Sequence, residues 1–184
     1  MAKKVLVPIA DGSEEIEAVC IIDTLRRAGA EVTVASVAKL QVTASRGVKL
    51  VADTLIANCT SQTYDGIALP GGMPGAEHLR DSAPLIDMLR TQKQAGRLYA
   101  AICAAPAVVL RPHGLIEQVR ATCFPALQGK LDPAYASHER VVVDGNCVTS
   151  QGPATAIEFA LKLVELLFSP AKAKEVGSAM LAEL

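Results

Sequence analysis

Two stretches of the chain are written in one grammar. The first, KVLVPIADGSEEIEAVCIIDTLRRAGAEVTVASV, runs from an apolar strand through a turn into an amphipathic helix, stops at Ala28-Gly29 and resumes as a strand. The second, YDGIALPGGMPGAEHL and then LIDMLRTQKQAGRLYAAIC, repeats that order and stops at Ala95-Gly96. In both, glycine follows a basic last turn, the usual way of closing a helix. Strand, helix and strand in this order make a βαβ unit, and the crossover between its parallel strands is right-handed on steric grounds. Two such units commit the chain to the α/β class.

The remaining segments fit around them. LQVTASRGVKLVAD places β-rich runs on either side of Ser45-Arg46-Gly47, the pattern of a short antiparallel hairpin. RVVVDGNCVTS sets Asp144-Gly145 between two apolar runs, a strong short-range hairpin signal. An amphipathic helix from about Pro153 to Phe168 and another after Pro170 complete the chain. Hydrophobic residues make up 51% of the sequence, yet aromatics only 3% and Trp none. The core must therefore be Ala, Val, Leu and Ile, as in a parallel sheet covered by helices. No linker or shift of composition divides the 184 residues, so a single domain over 1–184 is expected.

Several function classes are disfavoured. Net charge is −1, with lysines and arginines scattered, so no basic face for nucleic acid is visible. The apolar stretch from Ala154 to Phe168 is interrupted by Glu158, Lys162 and Glu165, which rules it out as a bilayer span. No signal peptide is read ahead of the first strand. Five cysteines at irregular spacing point to free thiols in a reducing cytoplasm rather than a disulfide framework. His78, His113 and His138 lie far apart with no ligand spacing, and no metal site is expected.

Open parallel sheets carry their sites beyond the carboxyl ends of the strands. Three loops lie there: Asp11–Ser13, Pro70–Gly75 and the turn at Cys103. Around the last, Ala101-Ile102-Cys103-Ala104-Ala105 reads small, any, nucleophile, any, small. A nucleophile on a sharp strand-to-helix turn needs that spacing because the turn crowds the residues two positions away. Pro106 suits a first helical turn, and a helix N-terminus would favour the thiolate. The competing reading is a small core filler, since free cysteine is among the most buried residue types.

In SEEIEAVCIIDTLRRAG, Ser13 is the expected N-cap, with Glu14 and Glu15 in the first turn complementing the helix dipole. Glu17 differs, because Cys20, Ile21, Leu25 and Ala28 follow it along one face, so it heads an inward stripe. An inward carboxyl at this sheet edge would face Cys103, and desolvation would keep it protonated and hydrogen-bonded to the sulfur. The alternative is a frayed carboxylate in water. Gly71 and Gly72, directly after a strand, can turn their N–H groups toward Cys103 as an oxyanion hole, or simply make a turn.

GSEEIEAV, SRGVKL, LPGGMPGAEHLRDS, AAICAAPAVVL and TSQGPATAIEFAL together resemble the ThiJ/PfpI superfamily, closest to its branch containing Parkinson disease protein 7 and bacterial YajL. The similarity runs from Lys4 to about Leu167. It implies a flavodoxin-like three-layer sandwich of the class I glutamine amidotransferase-like type, homodimeric, with an oxidation-sensitive cysteine at the turn. By this resemblance the reactive cysteine is Cys103 and the protonated acid Glu17. The oxyanion amides are those of Gly72 and Ala104, with Gly71 beside the substrate, and Arg46 is the arginine that reaches the partner subunit's pocket. Two departures stand out: Ala104 follows the cysteine where the protease-like branch has histidine, and Phe124 stands where some relatives place one. A Cys-His pair is therefore not evident, and a peptidase reading is weakened.

The resemblance implies a cofactor-independent enzyme of carbonyl stress, a deglycase or glyoxalase acting on α-oxoaldehydes or on their early adducts with proteins. A redox sensor or holdase chaperone, with Cys103 oxidised to the sulfinic level, is the alternative of a different class. A dimer that merely inherits the pocket is the third.

Overall fold

Val5, Leu6, Val7 and Ile9 are buried without alternation along β1 (Lys4–Ile9), the burial of a strand covered on both faces. The computed structural model describes residues 2–182. After β1 come α1 (Glu15–Arg27), β2 (Glu31–Ser36), a hairpin of β3 (Gln41–Thr43) with β4 (Lys49–Val51), and β5 (Thr54–Leu55). Then follow β6 (Gly66–Leu69), α2 (Gly75–Arg80), α3 (Ala83–Gln94), β7 (Leu98–Ile102), β8 (Val141–Asp144), β9 (Cys147–Ser150), α4 (Ala156–Leu167) and α5 (Pro170–Ala179).

The seven-stranded sheet has the order β5-β2-β1-β6-β7-β9-β8, parallel except for β8, which pairs antiparallel with β9. From β1 the chain steps one way to β2, and from β6 it steps the other way to β7. Right-handed crossovers therefore put α1 on one face and α2 with α3 on the opposite face. Helices α4 and α5 join α1, so the sheet is the middle of three layers. The β3–β4 hairpin forms its own small antiparallel sheet. Both hairpins and the three-layer fold agree with the sequence reading. The second helical segment differs in being broken: α2 ends at Arg80 and α3 restarts at Ala83, so Asp81 and Ser82 interrupt what one run of residues promised.

The inward stripe of α1 is Glu17, Ala18, Ile21 and Leu25, all fully buried, and burial of each Ile or Leu side chain contributes roughly 1.5–3 kcal/mol. No helix among the described residues is long and apolar enough to cross a membrane. The order of strands brings three loops together, because β1, β6 and β7 are neighbours and end at the same edge.

Candidate functional site

The three loops beyond β1, β6 and β7 interlock through backbone atoms. Gly72 has φ +83°, and a Cβ there would collide with the Glu14 amide nitrogen and stand 2.5 Å from the Gly12 carbonyl oxygen. At Gly12, with φ +82°, a Cβ would stand 2.5 Å from Pro74 Cδ and 2.8 Å from the Gly75 nitrogen. Glycine is required because the two loops approach more closely than any side chain permits. Across this seam the Glu14 N–H donates to the Gly71 carbonyl at 3.0 Å.

Helix α1 then begins one residue later than expected. Ser13 is not the N-cap: its hydroxyl turns back to accept the Ala10 N–H at 3.0 Å. Glu14 takes the position instead, its carboxylate accepting the Glu17 N–H at 2.8 Å. Glu15 is not an exposed dipole partner either. It accepts from the Ser45 hydroxyl at 2.9 Å and the Arg46 N–H at 2.9 Å, tying the β3–β4 hairpin to the start of α1. Burial would raise the Glu15 pKa, but its hydrogen-bond donors outweigh burial and hold it below the ordinary value.

Glu17 is 0% exposed. One carboxyl oxygen accepts the Gly71 N–H at 2.7 Å, and the other is buried with no N–H or O–H partner. The Cys103 side chain lies within hydrogen-bonding influence of the carboxyl. Burial raises the Glu17 pKa to about 7, opposed by the Gly71 amide and the Cys103 side chain and assisted by the charge of Glu14. A raised folded-state pKa means that Glu17 supports the fold fully below its unfolded value near 4.5 and loses that contribution as pH rises through about 7.

Cys103 has φ +63°, a left-handed conformation that a non-glycine residue adopts at a cost of order 1 kcal/mol. The turn is held from both sides: its N–H donates to the Ser150 carbonyl at 2.9 Å and its carbonyl accepts the Phe124 N–H at 2.8 Å. Gly71 packs against it so tightly that a Cβ would lie 2.7 Å from the Cys103 Cβ. Ala101 and Ala105 are fully buried, in keeping with the small residues the turn demands. The residue is buried, at 9% exposure.

The amides of Gly72 and Ala104 are both directed at the sulfur and favour its anion. The helix that follows differs from the α-helix expected. Beyond the turn the chain forms a five-residue π-helical segment, Pro106–Leu110, in which Arg111 N–H bonds to the Pro106 carbonyl, and no α-helix starts at Cys103. Burial first, then the Glu17 charge, push the thiol up to about 12. The two groups titrate as a coupled pair in which Glu17 is the more readily ionised, and the first negative charge can sit on either. With that charge on the sulfur, two amides and the Glu17 carboxyl can donate to it. With the charge on Glu17, the carboxylate keeps the Gly71 amide.

Five of the six predicted residues thus meet: Cys103, Glu17, Gly71, Gly72 and Ala104. Gly71 has its amide committed to Glu17. Arg46 stands apart, exposed on the hairpin turn, its backbone N–H on Glu15. The histidine rings are engaged elsewhere where they bond at all: His78 with the Asp11 carbonyl and His113 with the Arg80 carbonyl. A cavity of about 630 Å³ lies across the 10–14 loop, lined by Asp11, Val37, Ile56 and His78 among others, with Cys103 not in its wall. Gly12, Gly75, Glu14 and Ser150 also shape the site: the two glycines lie in loops already placed at this edge, Glu14 acts as the cap rather than a first-turn acid, and Ser150 carries no signal in the sequence. The glycines in DGS, in the loop after β1, and in PGA, at the start of α2, are the available signal for the first two.

The model of the DJ-1/PfpI family matches residues 3–166. The solved structure of Toxoplasma gondii DJ-1, oxidized, superposes with a TM-score of 0.98 at 54% identity, covering 100% of both chains. Protein DJ-1 homolog B of Arabidopsis thaliana is 51% identical over 97% of this chain, which spans only 41% of that protein's length. A Caenorhabditis elegans protein named glutathione-independent glyoxalase is 36% identical over 91% of this chain and 89% of its own length.

Proposed function

The chain belongs to the DJ-1/PfpI family, and from that premise we propose that it is a cofactor-independent glyoxalase or deglycase acting on α-oxoaldehydes or their early adducts. The carrying observation is a fully buried glutamate set against a cysteine on a strained turn, with two backbone amides aimed at the sulfur. Ionised Glu17 takes the thiol proton as a carbonyl arrives. The sulfur adds to the aldehyde carbon, the carbonyl electron pair moves onto oxygen, and the Glu17 carboxyl protonates it while the Gly72 and Ala104 amides stabilise the developing charge. Glu17 next removes the carbon-bound proton, and protonation of the neighbouring carbon yields an α-hydroxy thioester. Water cleaves the carbon–sulfur bond, releasing hydroxy acid and restoring the thiol. One carbon is oxidised as its neighbour is reduced, so the sum is addition of one water. The glyoxalase name carried by the Caenorhabditis elegans relative supports this reading.

Glu17→Gln separates activity from stability. Methylglyoxal conversion to lactate, followed without glutathione or added cofactor, is expected to fall about 10²–10⁴-fold. Urea unfolding above pH 7 should show the variant more stable than wild type, because it removes a buried group whose ionisation costs folding free energy there. Unchanged turnover would overturn the proposal.

A second reading, a redox sensor or holdase, draws on the same amides, which can hold a cysteine sulfinate as well as an oxyanion. Its chemistry consumes two peroxides and releases two waters per thiol. Stoichiometric peroxide followed by mass spectrometry tests it: first oxidation at Cys20, Cys59, Cys123 or Cys147 would exclude it.

Homodimerisation is part of the proposal. Ile16 and Val19 of α1 and Val48 and Val51 of the hairpin region are exposed large apolar residues, and Glu15 ties the two elements together. A second copy is the proposed cover, with Arg46 on the same hairpin reaching across. Sedimentation at micromolar concentration is expected to give a dimer that Val51→Glu weakens, and a wild-type monomer would contradict it. Metabolite carbonyls or glycated proteins are the proposed partners and the cytoplasm the proposed location.

A further inference from the structure

Phe124 is tied to the nucleophile by its backbone, yet the residue is 42% exposed. Its N–H donates to the Cys103 carbonyl at 2.8 Å. The ring lies over Gly152, where a Cβ would already touch Cδ2 at 3.5 Å, so one side is packed while much of the ring remains open. Gly152 is two residues beyond Ser150, which accepts the Cys103 N–H, so the ring belongs to the rim of the same turn. The loop that carries it is held: the Leu127 N–H donates to the Phe124 carbonyl at 2.8 Å, and the Gln128 amide donates to the Ser137 carbonyl at 2.9 Å. Next to Gly72 on the opposing loop stands Met73, 48% exposed. The donors directed at the sulfur are backbone amides and the Glu17 carboxyl, and these serve the reacting atoms themselves. An exposed aromatic side chain therefore sits at the rim of the turn, suited to an organic substituent by burial rather than by hydrogen bonding.

We infer that Phe124 is the specificity-determining residue of this site, and that the preferred substrate class is α-oxoaldehydes with an aryl substituent, packed on the Phe124 ring. The inference rests on the glyoxalase reading for its chemistry, but the binding it asserts can be measured without turnover. An aromatic substituent gains from the ring both apolar contact and edge or offset stacking, which a methyl group cannot match.

The test pairs two readouts on wild type, Phe124→Ala and Phe124→Tyr. First, kcat/KM for phenylglyoxal over methylglyoxal is expected to drop about tenfold or more in Phe124→Ala, through KM, and to be retained in Phe124→Tyr. Second, mandelate and lactate, the two product hydroxy acids, are compared as protectants of Cys103 against iodoacetamide, with alkylation at that residue read by mass spectrometry. Mandelate should protect at about tenfold lower concentration, an advantage lost in Phe124→Ala and kept in Phe124→Tyr. Turnover with neither ratio altered in Phe124→Ala overturns the inference. No turnover, with the mandelate advantage lost only in Phe124→Ala, supports Phe124 as the aryl contact and removes the glyoxalase reading.

Discussion

Serine in place of Cys103 is expected to lower methylglyoxal turnover by about four orders of magnitude, to the uncatalysed background, while leaving the fold intact. The position of one proton decides this loss. Glu17 has a pKa raised to about 7 by burial and can draw a proton from a thiol under the influence of the Gly72 and Ala104 amides. An alcohol is a far weaker acid and gives up its proton to the same carboxylate many orders of magnitude less readily. Serine keeps the side-chain shape, the φ of +63° and the bonds to Ser150 and Phe124, so stability should change by no more than about 0.5 kcal/mol. Lactate formation and thermal unfolding measured on the same preparation check both halves. Residual activity within tenfold of wild type would mean that the sulfur is not the nucleophile.

Gly72→Ala is expected to destabilise the protein by roughly 2–5 kcal/mol and to abolish activity in the fraction that still folds. Left-handed backbone with a Cβ costs roughly 1–2 kcal/mol, and forcing backbone atoms apart adds roughly 1–3 kcal/mol. The atoms in the way are the Glu14 nitrogen, the Gly12 oxygen and the Ser13 carbonyl carbon, none able to swing aside as a side-chain tip would. Moving Glu14 also loosens the cap that fixes Glu17. Gly29→Ala supplies the control. Its φ of +88° imposes the same conformational cost, but no atom lies within 4 Å of the added carbon. Urea unfolding of both should show Gly29→Ala losing about 1–2 kcal/mol and Gly72→Ala at least twice that. Equal losses would show that crowding at the seam contributes nothing.

The fold was legible because its signals are local. Gly29 and Gly96 close helices, apolar runs without alternation mark doubly covered strands, and Asp144-Gly145 marks a hairpin. Glu17 was legible for the same reason: helical spacing put it above Ile21 and Leu25, and both are fully buried. Competition between neighbours was not legible. Ser13 and Glu14 are both acceptable caps, and the choice fell to Glu14 because the Ser13 hydroxyl is consumed by the Ala10 N–H, a bond set by the turn's shape. Glu15 reads as a first-turn acid and is instead bound by a hairpin about thirty residues further along the chain, a partner that helical spacing cannot reveal. The helix that follows the turn is π-helical rather than α-helical, and burial and Glu17 outweigh the Gly72 and Ala104 amides in setting the thiol's proton affinity.

The groups that would cradle a developing negative charge at Cys103 belong to the main chain of Gly72 and Ala104. Truncating side chains one at a time leaves both untouched, since one residue has none and the other is already alanine. A conventional scan across this region would therefore credit the acid and the sulfur with all of the function, and the scaffold that orients those N–H bonds would go uncounted. Exchanging an ester for an amide linkage in the backbone is the kind of change that reaches them.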